Sequence, residues 1–470
     1  MDSYIYIYIV LLIPLALYCR SNPIPTVNAY PGDITQSKAR AAFFSDARAL
    51  LSQGIARFNG PFRITTNLGS RVILPSSWAN WVTTRPELDH AALIREEYFA
   101  DYPGMEAQAV LQEPTKFMAE VIKTKLNQSS QCKLMRDHAV EAVQELWTSD
   151  SNWHAVDLSD MIRIIARVSS VVFVGPDLAR NPVWQDLIVT YTVNYFNGVR
   201  ALRSWPSFLR PLVHWFLPEC RKCREQVRLG QRLMEPILEQ RKHAKAEGRT
   251  FHDSIEWFDE AATQFDPAAA QLGLAIGALH TTTELVRQGL VDILQHPELI
   301  QTIRDEARQA DESGWTTAGV YKMQLLDSAL KETLRLKPGM LVGLERKAVK
   351  PLVLPNGVTL PKGSKIGVEC SMMWDERSYD AYRFLRQCQS GDPAALASTS
   401  PRHVAFGIGR SACPGRFFAA NEAKIILATL FLAYDVRLVG ESRVQEMGFE
   451  MRCDPATTVE VRNGAFSPST

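Results

Sequence analysis

The sequence predicts a mainly α-helical protein, one large helical domain with a small β-rich portion, behind a short apolar leader. Three observations carry that reading. Helical periodicity dominates the chain after residue 40, only two stretches read as β-hairpins, and one apolar helix near the middle runs unbroken from Asp266 to about Gln295. The 470 residues are 46% hydrophobic and 22% charged, which is ordinary globular composition and enough for a large core. No Pro/Gly/Ser-rich linker or charge run divides the chain after residue 40, so residues 41–470 are expected as one domain. A formal net charge of +1 excludes a bulk basic field for nucleic acid, and there is no acidic tail.

The leader comes first. Tyr4 to Cys19 ("YIYIYIVLLIPLALYC") is almost continuously apolar, interrupted by Pro14 and closed by Arg20. It is shorter than the roughly 20 residues of a spanning helix, and a cleaved signal peptide is the competing reading. Asp2 leaves the front end without positive charge, bulky residues stand where small ones precede a cut, and Arg20 marks a cytosolic flank. An uncleaved membrane anchor over residues 1–20 is therefore expected. Pro23, Pro25 and Pro31 would stiffen a hinge over residues 21–40, with the domain in the cytosol.

Phe62 to Pro75 reads as a hairpin around Asn67-Leu68-Gly69, and Pro351 to Ile366 as another around Asn356-Gly357. Pro114 to Leu126 is a helix candidate. In the long central helix, Asp266 is a good N-cap, Pro267 suits the first helical position, and His296-Pro297 stops the run. Eight cysteines are scattered without a framework spacing, as suits reduced thiols. Cys220 and Cys223 form the only C-x-x-C, with no second ligand pair to make it a metal site.

Four stretches carry chemistry. "GALHTTTELV" (Gly277 to Val286) places small residues and three threonines inside the buried central helix. The threonine hydroxyls either bond back to carbonyls one turn earlier or serve a ligand lying against the helix. In "LDSALKETLRLKPGM", Glu332 and Arg335 share one helical face closely enough to pair, and Pro338-Gly339 ends the helix. "RSWPSFLRPLVHWFLP" (Arg203 to Pro218) interleaves aromatic residues with Arg203 and Arg210, either as a core-packed loop or as a lip at a membrane surface. In "FGIGRSACPGRFFA" (Phe406 to Ala419), Gly407, Gly409 and Gly415 permit a tight backbone around Cys413, and Pro414 fixes φ where a helix begins. The following run reads as a long amphipathic helix. Its N-terminal end would favour thiolate at Cys413, as an electron-rich ligand requires.

Phe406-x-x-Gly409-x-x-x-Cys413-x-Gly415 resembles the haem-ligand loop of the cytochrome P450 family. Glu332-x-x-Arg335 resembles that family's helix K motif, "AYRF" (Ala381 to Phe384) the segment whose arginine joins the pair, and "GALHTT" the oxygen-activating motif of helix I. The likeness covers essentially the whole chain, and its texture is similar to fungal members of secondary metabolism. It implies the cytochrome P450 fold and haem b held by Cys413, whose thiolate pushes electron density onto iron and favours O–O cleavage. Phe406, Gly409 and Gly415 would shape the cofactor loop, with Glu332, Arg335 and Arg383 supporting it. Ser411 stands where an arginine or histidine usually meets a haem propionate, so Arg410 or Arg346 would serve. Thr281 would donate to the distal oxygen. His280, in the usual place of an acid, would supply protons. Trp81-x-x-x-Arg85 matches the family's helix C spacing but comes too early, and is not assigned to haem.

The activity implied is monooxygenation of a lipophilic secondary metabolite, a terpenoid or prenylated alkaloid. Electrons would come from NADPH through NADPH-cytochrome P450 reductase, with cytochrome b5 as a further donor, at the endoplasmic reticulum membrane. The rival readings are a haem-thiolate isomerase or dehydratase that needs no reductase, and a non-catalytic haem or lipid carrier.

Overall fold

The computed structural model describes residues 24–464 apart from 149, 263, 375 and 377. The run Tyr4–Cys19, with Arg20 and Pro23, lies outside the described residues. Among those described, no helix is long and apolar enough to cross a membrane. The chain gathers into two compact units. One holds the residues to Leu93 with Leu341–Ser371 and Glu446–Glu450; the other holds Ile94–Met340, Met372–Gln445 and the residues from Met451 onward.

The first unit is built on a five-stranded sheet. Its spatial order is Phe62–Thr66, Gly69–Leu74, Lys365–Glu369, Val342–Ala348, Leu88–Asp89. The first two strands form the expected hairpin, with Phe62 opposite Ile73 and Thr66 opposite Gly69. Gly69 supplies the positive φ (+93°) that returns the chain. The second expected hairpin survives only as the short pair Leu352–Val353 with Thr359–Leu360. Ile366 leaves it for the main sheet, where it lies opposite both Val72 and Arg346. Burying Ile366 and Val368 there stabilises more than lengthening an isolated two-stranded ribbon. Trp81 lies on the short helix Ala79–Thr84, and the Arg85 guanidinium stacks over its ring at 5.1 Å, so the pair occupies itself.

The second unit is helical. Its principal helices are α1 (Phe117–Lys125), α2 (Ser129–Trp147), α3 (Met161–Val174), α4 (Pro182–Arg203), α5 (Pro218–Ala246), α6 (Pro267–Leu294), α7 (Gln324–Leu336), α8 (Arg383–Gln389) and α9 (Arg416–Ala433). One continuous apolar core runs through them. α6 begins as its sequence dictates: the Asp266 carboxylate accepts from the Ala268 and Ala269 amides, Pro267 takes the first position, and Gln295 ends the helix. α7 stops at Lys337 before Pro338.

α9 departs from expectation. Read as amphipathic, it is instead buried over thirteen of its eighteen residues, Glu422 and Lys424 included. It packs against α2, α6 and α7, so no solvent face remains to be polar.

Candidate functional site

The loop before α9 is held by its own backbone. The Cys413 amide donates to the Phe406 carbonyl at 2.7 Å and the Ala412 amide to Gly409 at 3.1 Å, with Gly407 and Gly409 at φ +66° and +65°. A Cβ at Gly407 would lie 3.0 Å from the Ser411 carbonyl oxygen, so both conformation and space require glycine there. Phe406 packs on the apolar core and anchors the loop.

The Cys413 thiol is open to solvent-sized contact, whereas five of the seven described cysteines are buried. Burial nonetheless pushes its pKa up, against the lowering pull of the Gly415 and Arg416 amides and the Arg416 guanidinium. The amides at the start of α9 favour thiolate, while burial works against it. A metal cation, were one coordinated there, would deprotonate the thiol outright.

Behind the loop stands the expected ion pair. Arg335 donates from Nε and Nη2 to the Glu332 carboxylate, each at 2.8 Å, and Glu332 has no exposed surface. The remaining Arg335 donors reach the carbonyls of Met373 (2.6 Å), Glu376 (2.9 Å) and Ser378 (3.2 Å). Arg383 joins Glu332 at 3.1 Å and binds Glu376 at 3.0 Å. Its guanidinium is thereby committed to two carboxylates. Among the described residues this is a place in the supporting network, as the "AYRF" likeness implies.

Sequence reasoning missed Lys331, which reads as a solvated charge beside Glu332. Its ammonium is buried, donates to the Ala395 and Ser398 carbonyls at 2.7 and 3.0 Å, and is pushed by burial down to about 8. His403 is pushed by burial to about 3, and its Nε2 lies 3.3 Å from the Lys331 carbonyl oxygen. Only the helical phase of "LKETLRL", which turns Lys331 inward, could have signalled this.

On α6, Gly277 and Thr281 are exposed in the middle of a helix whose flanking turns are buried, and nothing lies within 4 Å of a Cβ placed at Gly277. Thr281 donates to the Gly277 carbonyl at 2.9 Å, so the back-bonding reading of the threonines is realised. Thr283 does the same toward Leu279 at 2.7 Å but is buried, which leaves Thr281 with the hydroxyl that borders open space. His280 points elsewhere. Its ring packs edge-on against Phe196 of α4 at 5.9 Å, about 100° around the helix from Thr281.

Arg410 is exposed at the loop. In the other unit, Arg346 follows a register shift after Gly343 and is 4% exposed. It donates to the Glu345 carbonyl at 2.7 Å, and burial draws its pKa down. A desolvated guanidinium so placed favours an anionic partner.

The chemistry of the donor set fits haem. Among the described residues no cluster of three or more His, Cys, Asp or Glu could hold a metal ion. A metal at Cys413 would therefore bring its other ligands with it, as the iron of a macrocycle does. Two shallow concavities, of about 360 Å³ near Pro182 and Leu229 and about 670 Å³ near Met234 and Phe265, contain no loop residue. The thiol chemistry, not cavity size, locates the site.

The sequence model of the family described as Cytochrome P450 matches residues 109–452. The chain is 35% identical over 466 residues to the cytochrome P450 monooxygenase ntnM of Nectria sp, covering 94% of this chain and 89% of that one. It is 34% identical over 472 residues to the cytochrome P450 monooxygenase adrA of Penicillium rubens, covering 94% and 92%. It is 35% identical over 500 residues to the cytochrome P450 monooxygenase calE of Penicillium decumbens, covering 98% and 96%.

Proposed function

The chain belongs to the cytochrome P450 family and is a monooxygenase, and on that premise we propose that Cys413 ligates haem iron and that the substrate is a lipophilic secondary metabolite, a terpenoid or prenylated alkaloid. The observation that carries the reading is the accessible Cys413 thiol, ringed by glycine turns and faced by the Gly415 and Arg416 amides. Haem supplies one-electron and O₂ chemistry when bound. Phe406, Gly409 and Gly415 shape the loop, while Arg335, paired with Glu332 that Arg383 also binds, fixes carbonyls of the chain leading to it. Arg410, exposed on the thiol loop, would serve a propionate, with Arg346 the alternative. Thr281 can release its bond to Gly277 and orient a proton toward the open space beside it. His280 serves at most through a water chain, because its ring lies on Phe196.

Electrons would come from NADPH through a reductase, with cytochrome b5 as a second donor. The loop face offers exposed Arg410 and half-buried Arg416, whose guanidinium stacks over exposed Phe417 at 4.5 Å, a cationic and apolar surface suited to an acidic donor. Membrane attachment at the endoplasmic reticulum is supported by the lip between α4 and α5, where Phe208 is 79% and Phe216 70% exposed, with Leu212 and Trp215 beside them. Its arginines are structural: Arg203 donates to the Glu97 carbonyl and Arg210 to those of Leu202 and Trp205.

The test is product analysis after co-expression with a reductase and feeding of a terpenoid library. Oxygenated product that depends on NADPH supports the reading; product formed without reductase would favour an isomerase or dehydratase.

A further inference from the structure

We propose that Glu422 is a positioning residue for the thiol ligand: as a neutral carboxylic acid it seats α9 on α3, and its ionisation unseats the helix whose first amides face Cys413, so that Glu422 sets an alkaline limit to thiolate ligation.

The seat is visible as two contacts in antiparallel register. Phe418 of α9 stacks on Phe173 of α3 with ring centroids 5.5 Å apart. One turn further along α9, Glu422 Oε1 accepts from the Ser169 hydroxyl at 2.6 Å, one turn earlier on α3. Glu422 has no exposed surface, and its Oε2 is buried without a hydrogen-bond partner. A carboxylate in that position would carry an uncompensated charge into an apolar layer, whereas a neutral carboxyl is tolerated there. Burial accordingly holds the group up to about 8, with Ser169 the only neighbour that lowers it.

Among the described residues no charged side chain offsets it. On the helix Ile300–Glu312, which also packs on α9, Arg304 is paired with Asp435 and Glu306 accepts from the Leu325 and Leu326 amides. On α9, Lys424 is committed to Asp327 at 2.9 Å and to the Val320 carbonyl. On α3, Arg167 is paired with Glu145 and Glu141. On α2, Arg136 is paired with Asp311, and burial pushes His138 to about 4, which leaves it neutral. On α6 and α7, Asp292 is paired with Lys337. Ionised Glu422 can lower its energy only by drawing water into the α3–α9 seam. The helix start that carries the Gly415 and Arg416 amides lies two turns away on the same rigid element.

The inference rests on Cys413 as the iron ligand, and the test separates the two. The full-length holoenzyme is reduced, saturated with carbon monoxide and scanned between pH 6.5 and 9.5. The wild type is expected to lose its far-red-shifted Soret band with a midpoint close to pH 8 and to regain it on return to pH 7. Glu422→Gln, a neutral shape match, should keep the band at least one pH unit further. Ser169→Ala removes the donor that favours the ionised form, so its midpoint should move upward. If Glu422→Gln fails to take up haem, an upward shift in Ser169→Ala still supports the inference. A common midpoint in wild type and Ser169→Ala, or in wild type and Glu422→Gln, would overturn it. Absence of the band from the wild type at pH 7 would instead refute Cys413 as the ligand.

Discussion

Arg335→Ala should be the most damaging change outside the thiol loop, because its guanidinium serves five acceptors from a buried position. The substitution removes both bonds to Glu332 and the bonds to the Met373, Glu376 and Ser378 carbonyls. Breaking one side of a buried pair costs about 3–5 kcal/mol, mostly through the charge left behind. Glu332 keeps Arg383 and the Asp380 amide, so the low end, about 3 kcal/mol, is expected. Set against a total stability of about 5–15 kcal/mol, the protein should still fold. The Met373, Glu376 and Ser378 carbonyls would lose their shared donor, and haem content should fall with them. Urea unfolding of the purified variant, read as a midpoint shift at constant slope, measures the first effect, and haem per polypeptide measures the second. Arg383→Ala, at a more exposed pair, should cost about 1 kcal/mol. Arg335→Ala within about 1 kcal/mol of wild type, with full haem content, would refute the reasoning.

Thr281→Ala should keep haem and substrate binding while NADPH consumed appears as hydrogen peroxide, with product falling by about 10²-fold; unchanged product per NADPH would leave the threonine as a helix-bending residue only. Stability should depend on pH through Glu422. Its folded pKa of about 8 lies above the ordinary 4.5, so the unfolded chain sheds the proton first and wild-type stability falls as pH rises through that window. Thermal melts should show Glu422→Gln gaining on wild type by up to about 1.4 kcal/mol per pH unit between those values, and a constant difference would contradict the assignment. Replacing Phe208 and Phe216 with serine should weaken binding to lipid vesicles by at least about tenfold, since each ring is worth about 1.5–3 kcal/mol when buried; unchanged sedimentation with vesicles would remove the lip from the membrane account.

Local chemistry was legible where one residue type admits one conformation. Asp266-Pro267 declared the start of α6, Gly69 the first hairpin, and Glu332-x-x-Arg335 a pair that the helix does bring together. What stayed hidden depends on burial, which a single sequence does not display. Lys331 and Lys424 drew no notice in the sequence and are buried, each satisfied by carbonyls far along the chain. Glu422 passed unremarked inside a run read as an amphipathic helix, because nothing local marks Ser169 as its partner 253 residues away. Ile366 followed the larger sheet rather than its nearest hairpin. The thiol loop was legible as a pattern, but the desolvation that raises Cys413 comes from the mass folded around it.

The most direct measurement of the central claim is the spectrum of the reduced, carbon monoxide-bound protein with Cys413→Ala. The account predicts that the far-red-shifted Soret band of the wild type is lost together with all turnover, while far-ultraviolet circular dichroism shows the helices intact. A folded Cys413→Ala protein that retains the band would contradict it.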